Sequence, residues 1–118
     1  MITEAKVHEL LSQEFEDSYK GYKGDIVKYK YSLQSQLKEG EHVDTTIDNV
    51  SFKEVERYGG TEGSGEEHWV VFSVESGGDI QYFKVPGYYQ SYNGAELEFE
   101  NLYEVTPGEV MVRIWNKV

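Results

Sequence analysis

The residues of this chain that could bind a metal or move a proton are His8, His42 and His68, and no two of them stand in an H-x-x-H or H-E-x-x-H spacing. Zinc needs its ligands presented together, so no metal is assigned. No serine occupies a G-x-S-x-G elbow, and no Ser, His and acid set can be assembled from the sequence. Gly63-Ser64-Gly65 has the small residues of a phosphate-cradling loop. Such loops continue with a third glycine or a Gly-Lys before a helix, whereas here Glu66, Glu67 and a strand follow. Two carboxylates repel a phosphate, which leaves a flexible loop. The same acids lack the D-x-[DN]-x-[DN]-G order of a calcium loop. Asn49-Val50-Ser51 matches the glycosylation pattern, with no secretion signal to give the match meaning. The chain therefore reads as non-enzymatic, with no catalytic, cofactor-binding or metal-binding residue.

What remains is recognition chemistry. The chain has 10 tyrosines, and Tyr82, Tyr88, Tyr89 and Tyr92 crowd together ahead of Glu96 and Glu98. Tyrosine gives contact area at small entropic cost and is enriched at interfaces, although strands also favour it for packing alone. A two-residue type I′ loop at Asn93-Gly94 makes Tyr92 oppose Ala95, Gln90 oppose Leu97 and Tyr88 oppose Phe99. Ser91 then faces Glu96, and Tyr89 faces Glu98. Leu97 and Phe99 form the apolar set, and Glu96, Glu98 and Glu100 the wet one. This register places Tyr89, Ser91, Glu96 and Glu98 together as the candidate protein-binding site. The rings supply area, the acids steer a basic partner, and the short loop keeps both rigid.

Those side chains depend on an antiparallel meander spanning 67–101. Trp69 to Val74 is rich in β-branched and aromatic residues, Gly77-Gly78 breaks it, and Ile80 to Val85 resumes the same character. Pro86-Gly87 is expected to turn the chain before Tyr88 to Tyr92, and Ala95 to Phe99 completes the second hairpin. Upstream, Thr3 is an N-cap for a helix from Glu4 to about Glu16, with Val7, Leu10, Leu11 and Phe15 at helical spacing and Ile2 placed to staple on Val7. Residues 20–24 read as a loop. From Asp25 to Leu37 the pattern satisfies strand and helix alike; the first half reads as strand, and residues 32–38 as its tail or a short helical turn. His42 to Asn49 is a connection into a weakly alternating strand from Val50 to Tyr58, and Gly59 to Glu67 a mobile loop. Leu102 to Val105 and Val110 to Trp115 are short strands either side of a Pro107-Gly108 turn.

The expected architecture is α+β, one domain over residues 1–118: an N-terminal helix packed on a twisted antiparallel sheet of about five to seven strands, with a closed barrel as the alternative. Cysteine is absent, so disulfides and thiolate chemistry are excluded. No stretch has the apolar length of a membrane span, and a cytoplasmic location is expected. The net charge of −11, from 22 acids and 11 bases, repels nucleic acid and anionic lipid and favours cationic partners. Acids spread along a whole chain also serve solubility alone.

From Tyr58 to Trp115 the order YGGTEGSGEE, WVVFSV, YFKV-x-GYYQSYNGAE, YEV-x-P and VRIW resembles a group of small bacteriophage proteins. In that group an acidic glycine-rich loop precedes a strand with Trp or Tyr, and a Y-x-S-Y-x-G-x-E hairpin precedes a V-x-P turn. Here the hairpin motif is Tyr89 to Glu96, and the turn is Glu104 to Pro107. The group has no established activity, so the resemblance implies a viral source and no mechanism. The expected function is a non-enzymatic binding protein that modulates or inhibits a host protein with a basic surface, without direct nucleic-acid or membrane contact. A nucleic-acid-binding defence factor inhibited by charge mimicry, as in anti-restriction or anti-CRISPR proteins, is one form of this. The alternative is a virion structural or assembly component that pairs exposed strand edges with copies of itself.

Overall fold

Thr3 starts the first helix: its Oγ1 accepts from the Lys6 N–H at 3.2 Å, and α1 runs Glu4–Ser12. It stops short of Glu16. Ser12 turns its hydroxyl onto the His8 and Glu9 carbonyls, and the acids Glu14, Glu16 and Asp17 oppose the helix dipole there. Phe15, expected on the helical stripe, instead opens a strand, β1 (Phe15–Lys20), that pairs with β2 (Ile26–Tyr31). These two form a separate two-stranded ribbon. The computed structural model describes residues 1–61, 63, 65–92, 94–108 and 115–117.

Residues 32–38 settle as helix because the cap is complete. The Ser32 hydroxyl accepts from the Ser35 N–H at 3.1 Å, and Ser35 Oγ accepts from the Ser32 N–H at 2.8 Å, opening α2 (Leu33–Lys38). Leu33 and Leu37 anchor it in the core. Ser32→Ala is expected to cost about 1 kcal/mol, read as a lower urea midpoint at unchanged slope.

The connection expected over 42–49 contains a further strand. β3 (Asp44–Ile47) folds back on β4 (Val50–Gly59) through Asp48 and Asn49, both at positive φ (50° and 64°), the two residue types that best tolerate a type I′ turn after glycine. The weak alternation of β4 has a cause. A β-bulge between Glu54 and Glu56 switches its parity, so Phe52 and Glu54 point to the core side while Tyr58 points away. β5 (Glu67–Ser76) and β6 (Asp79–Gln90) follow, joined by Gly77-Gly78 at φ 59° and 89° as the sequence suggests.

Pro86-Gly87 is not a turn. β6 runs through it, with Pro86 opposite Trp69 and Gly87 opposite His68. On its other side β6 pairs with β8 (Tyr103–Val105) at residues 82–84 and with β7 (Gly94–Leu97) at 87–90. Pro86 stands at a position whose backbone faces away from β5, so its missing N–H removes no bond to that strand, and its carbonyl accepts from the Glu98 N–H at 2.8 Å on the other side. Among the described residues the sheet is six-stranded, ordered β3-β4-β5-β6-β7 with β8 also on β6, and α1 and α2 pack on one face. Between helices and sheet lie Val7, Leu10, Leu37, Phe52, Phe72 and Phe83, all at most 1 % exposed. A short 3-10 turn, Phe99–Asn101, carries Phe99 into the same core. Residues 110–114 of the strand expected at Val110 to Trp115 lie outside the described residues; Trp115 is described, lies in no strand and is exposed. No helix among the described residues is long and apolar enough to cross a membrane.

Candidate protein-binding surface

The helices cover one face of the sheet and leave the other open. Alternation along β4, β5, β6 and β8 sends Tyr58, Trp69, Lys84, Pro86, Tyr88 and Tyr103 to that open face. Trp69 is its centre. Tyr58 stacks on its ring at 5.8 Å and 16°, the Lys84 ammonium sits 4.5 Å from the ring centroid, and the indole N–H donates to Glu67 at 3.0 Å. Around it Tyr58, Tyr88 and Tyr103 keep 45 %, 39 % and 45 % of their surface exposed. Glu56, Glu67 and Glu96 border the rings, the last of them opposite Tyr88.

The hairpin register differs from the expected one. Gln90 pairs with Gly94, Tyr89 with Ala95, Tyr88 with Glu96 and Gly87 with Leu97. Three residues separate the paired positions 90 and 94, not two, and Gly94 sits at φ 71°, as in loops closed by a left-handed glycine. Asn93 lies outside the described residues. The shift is odd in register and exchanges faces. The expected pairs Tyr88 with Phe99, Ser91 with Glu96 and Tyr89 with Glu98 therefore do not form. Tyr89 and Ser91 line a shallow groove of 650 Å³ against Gly63, Gly65 and Glu66, and the Tyr89 N–H donates to the Glu66 carbonyl at 2.8 Å. Glu98 lies past the end of β7, half-buried, accepting from the Asn101 amide at 3.4 Å. Glu96 stays half-exposed, 3.8 Å from the Lys38 ammonium. Of the four expected residues only Glu96 stands beside a ring of the open face, and that ring is Tyr88.

Compared with family models, curated proteins and solved structures, the chain finds no match.

The histidines lie apart. His8 is 3.8 Å from Glu4 on α1, and His42 is 3.3 Å from Glu54. His68 is buried on the core side, its Nδ1 2.9 Å from the Tyr58 carbonyl; since a carbonyl only accepts, Nδ1 carries the proton. Glu54 also takes the Arg57 guanidinium, at distances of 2.6 and 3.1 Å, which satisfies a carboxylate turned toward the core beside Phe72. Among the described residues no group of three or more His, Asp or Glu is placed to hold a metal ion.

On the ribbon, Tyr29 donates its hydroxyl to Asp17 at 3.4 Å, and loss of solvent, then the Asp17 carboxylate, raise its pKa above the usual tyrosine value. A groove of 320 Å³ lined by Asp17, Tyr29, Tyr31, Glu39 and Glu41 separates the ribbon from α2. Tyr58, Trp69 and Tyr103 carry no site signal in the sequence, because their clustering depends on the β4 bulge and on β8 returning to β6. Lys84 with Trp69 had no local signal, since the two meet only through the pairing of β5 with β6.

Proposed function

We propose that this chain is a small non-enzymatic binding protein, phage-encoded, that engages and modulates a host protein through the open face of its sheet. The observation that carries the reading is the set of exposed rings at Tyr58, Tyr88 and Tyr103 around Trp69, bordered by Glu56, Glu67 and Glu96. Aromatic anchors with an acidic rim suit a partner with a basic surface, and the net charge of −11 speeds their encounter. The viral source rests on the resemblance over residues 58–115. Where the partner's basic surface normally holds nucleic acid, the carboxylates stand in for phosphates and the outcome is inhibition.

Capture from host lysate at low and high salt tests this. A basic protein retained at low salt and weakened at high salt is the expected result, and retention of no partner at low salt removes the reading. With the partner in hand, Glu67→Gln with Glu96→Gln is expected to slow association and flatten its salt dependence. Tyr88→Ala is expected to speed dissociation by about ten-fold, the effect of losing an anchor of between 1 and 2 kcal/mol.

A further inference from the structure

The β1–β2 ribbon is the element that the rest of the fold does not explain. Away from its base at Phe15 and Tyr31 every residue of both strands is exposed. A lone two-stranded hairpin is marginal in water and needs a covering surface. One face of this one carries Phe15, Tyr19, Val27, Tyr29 and Tyr31, with ring contacts at 5.6, 5.9 and 6.0 Å; Tyr19 remains 57 % exposed. The opposite face carries Lys20, Lys28 and Lys30 with Glu16, Ser18 and Ile26, the last of them 73 % exposed. We propose that the ribbon is an exchange arm: in a pair of copies it lies against the β3 edge and acidic flank of its mate, while the mate's ribbon does the same in return.

Charge selects the second copy as the occupant. Residues 15–31 hold four lysines and three acids, a net +1, while the remainder holds seven basic and nineteen acidic residues, a net −12. The surface most complementary to the arm is the body of this same chain. Asp44 lines a groove of 470 Å³ that runs between the ribbon base and β3, floored by Leu33, Val43 and Ile47, while Glu39 and Glu41 line the neighbouring groove of 320 Å³ between the ribbon and α2. Backbone chemistry points to the same place. Among the described residues β3 ends the sheet, and because Ile47 and Val50 close a two-residue turn, the N–H and C=O groups of Asp44 and Thr46 face away from β4. Each ribbon strand pairs only with the other among the described residues, so it too has a free edge. Strand addition joins the two sets of unpaired groups. One ribbon face, about 20 Å by 10 Å, is well below the roughly 800 Å² that each partner of a stable interface contributes. Reciprocal exchange doubles the contact to about 400 Å² for each partner, about half of that figure, so the pair is expected to be a weak one that fills toward millimolar concentration, and a one-way dock is not proposed.

Sedimentation and light scattering of the purified chain, from micromolar to millimolar, read the association directly. A dimer is expected, and Lys28→Glu with Lys30→Glu is expected to weaken it by at least about ten-fold; both lysines are exposed, and an unchanged circular dichroism spectrum confirms the fold. The chain has no cysteine, so placement can be tested by mixing two single variants, Lys28→Cys and Thr46→Cys, under mild oxidation. The mixed disulfide is expected to exceed either same-variant disulfide. A monomer at every concentration and salt overturns the proposal. So does a dimer indifferent to the lysine reversals, or one without the mixed disulfide. None of these outcomes bears on the open sheet face, which keeps the two readings separate.

Discussion

Phe72→Ala is expected to lose about 3–5 kcal/mol of stability, of the order of a third or more of what a domain of this size has. Phe72 is 1 % exposed on β5, a strand paired on both sides, and its ring lies 6.1 Å from Phe52 and 6.0 Å from Phe83. These three rings form a diagonal row across β4, β5 and β6, with Phe83 opposite Phe72 and Phe52 opposite the neighbouring Val74. Removing the middle one leaves a cavity that its neighbours cannot close without leaving their strands. Urea unfolding followed by circular dichroism measures the loss. A change below about 1 kcal/mol would mean that the row is not the centre of the core.

That row was readable in part from the chain. Trp69 to Val74 and Ile80 to Val85 alternate cleanly around Gly77-Gly78, and the observed pairing of Ser76 with Asp79 is what that turn dictates. Thr3, Val7, Leu10 and Leu11 were equally legible, because a cap and a helical stripe agree there. The α+β layout follows from those two signals. The rest failed where one local pattern has two physical solutions. Phe15 fits a helical stripe and also a strand, and the repulsive end of α1 decides for strand. Gly94 can be the second residue of a two-residue loop or the closing glycine of a three-residue one, and nothing in residues 88–99 separates these. That single ambiguity moved the candidate site: Tyr89 was expected beside Glu98, and Tyr88 stands beside Glu96. The open aromatic face was illegible for a different reason. It is assembled from four strands distant in sequence, and a bulge sets its parity.

Gly87→Ala is expected to release β7 from the sheet at a cost of about 1–3 kcal/mol. A Cβ at this position would run into the Glu96 carbonyl oxygen, which is backbone and cannot swing aside as a side chain would. Glycine here serves close approach between β6 and β7, whereas in the sequence the pair Pro86-Gly87 suggested a turn. β7 is four residues long and among the described residues pairs only with β6, so it yields more readily than β5 or β6. Its departure uncovers Leu97 and Phe99, which are 2 % and 3 % exposed, and breaks the 2.8 Å bond from the Glu98 N–H to the Pro86 carbonyl. It also parts Glu96 from Tyr88, so partner binding through the open face is expected to weaken along with stability. Hydrogen exchange resolves the mechanism. In Gly87→Ala the amides of residues 95–98 are expected to exchange ahead of global unfolding, while those of β5 keep their protection. Gly94→Ala is the contrast: its Cβ meets open space, only the positive φ of 71° is strained, and the cost is about 1 kcal/mol with β7 in place. Equal exchange at Leu97 in the two variants would show that close backbone approach at Gly87 does not hold the register, and the pairing of Tyr88 with Glu96 would then have to rest on the loop alone.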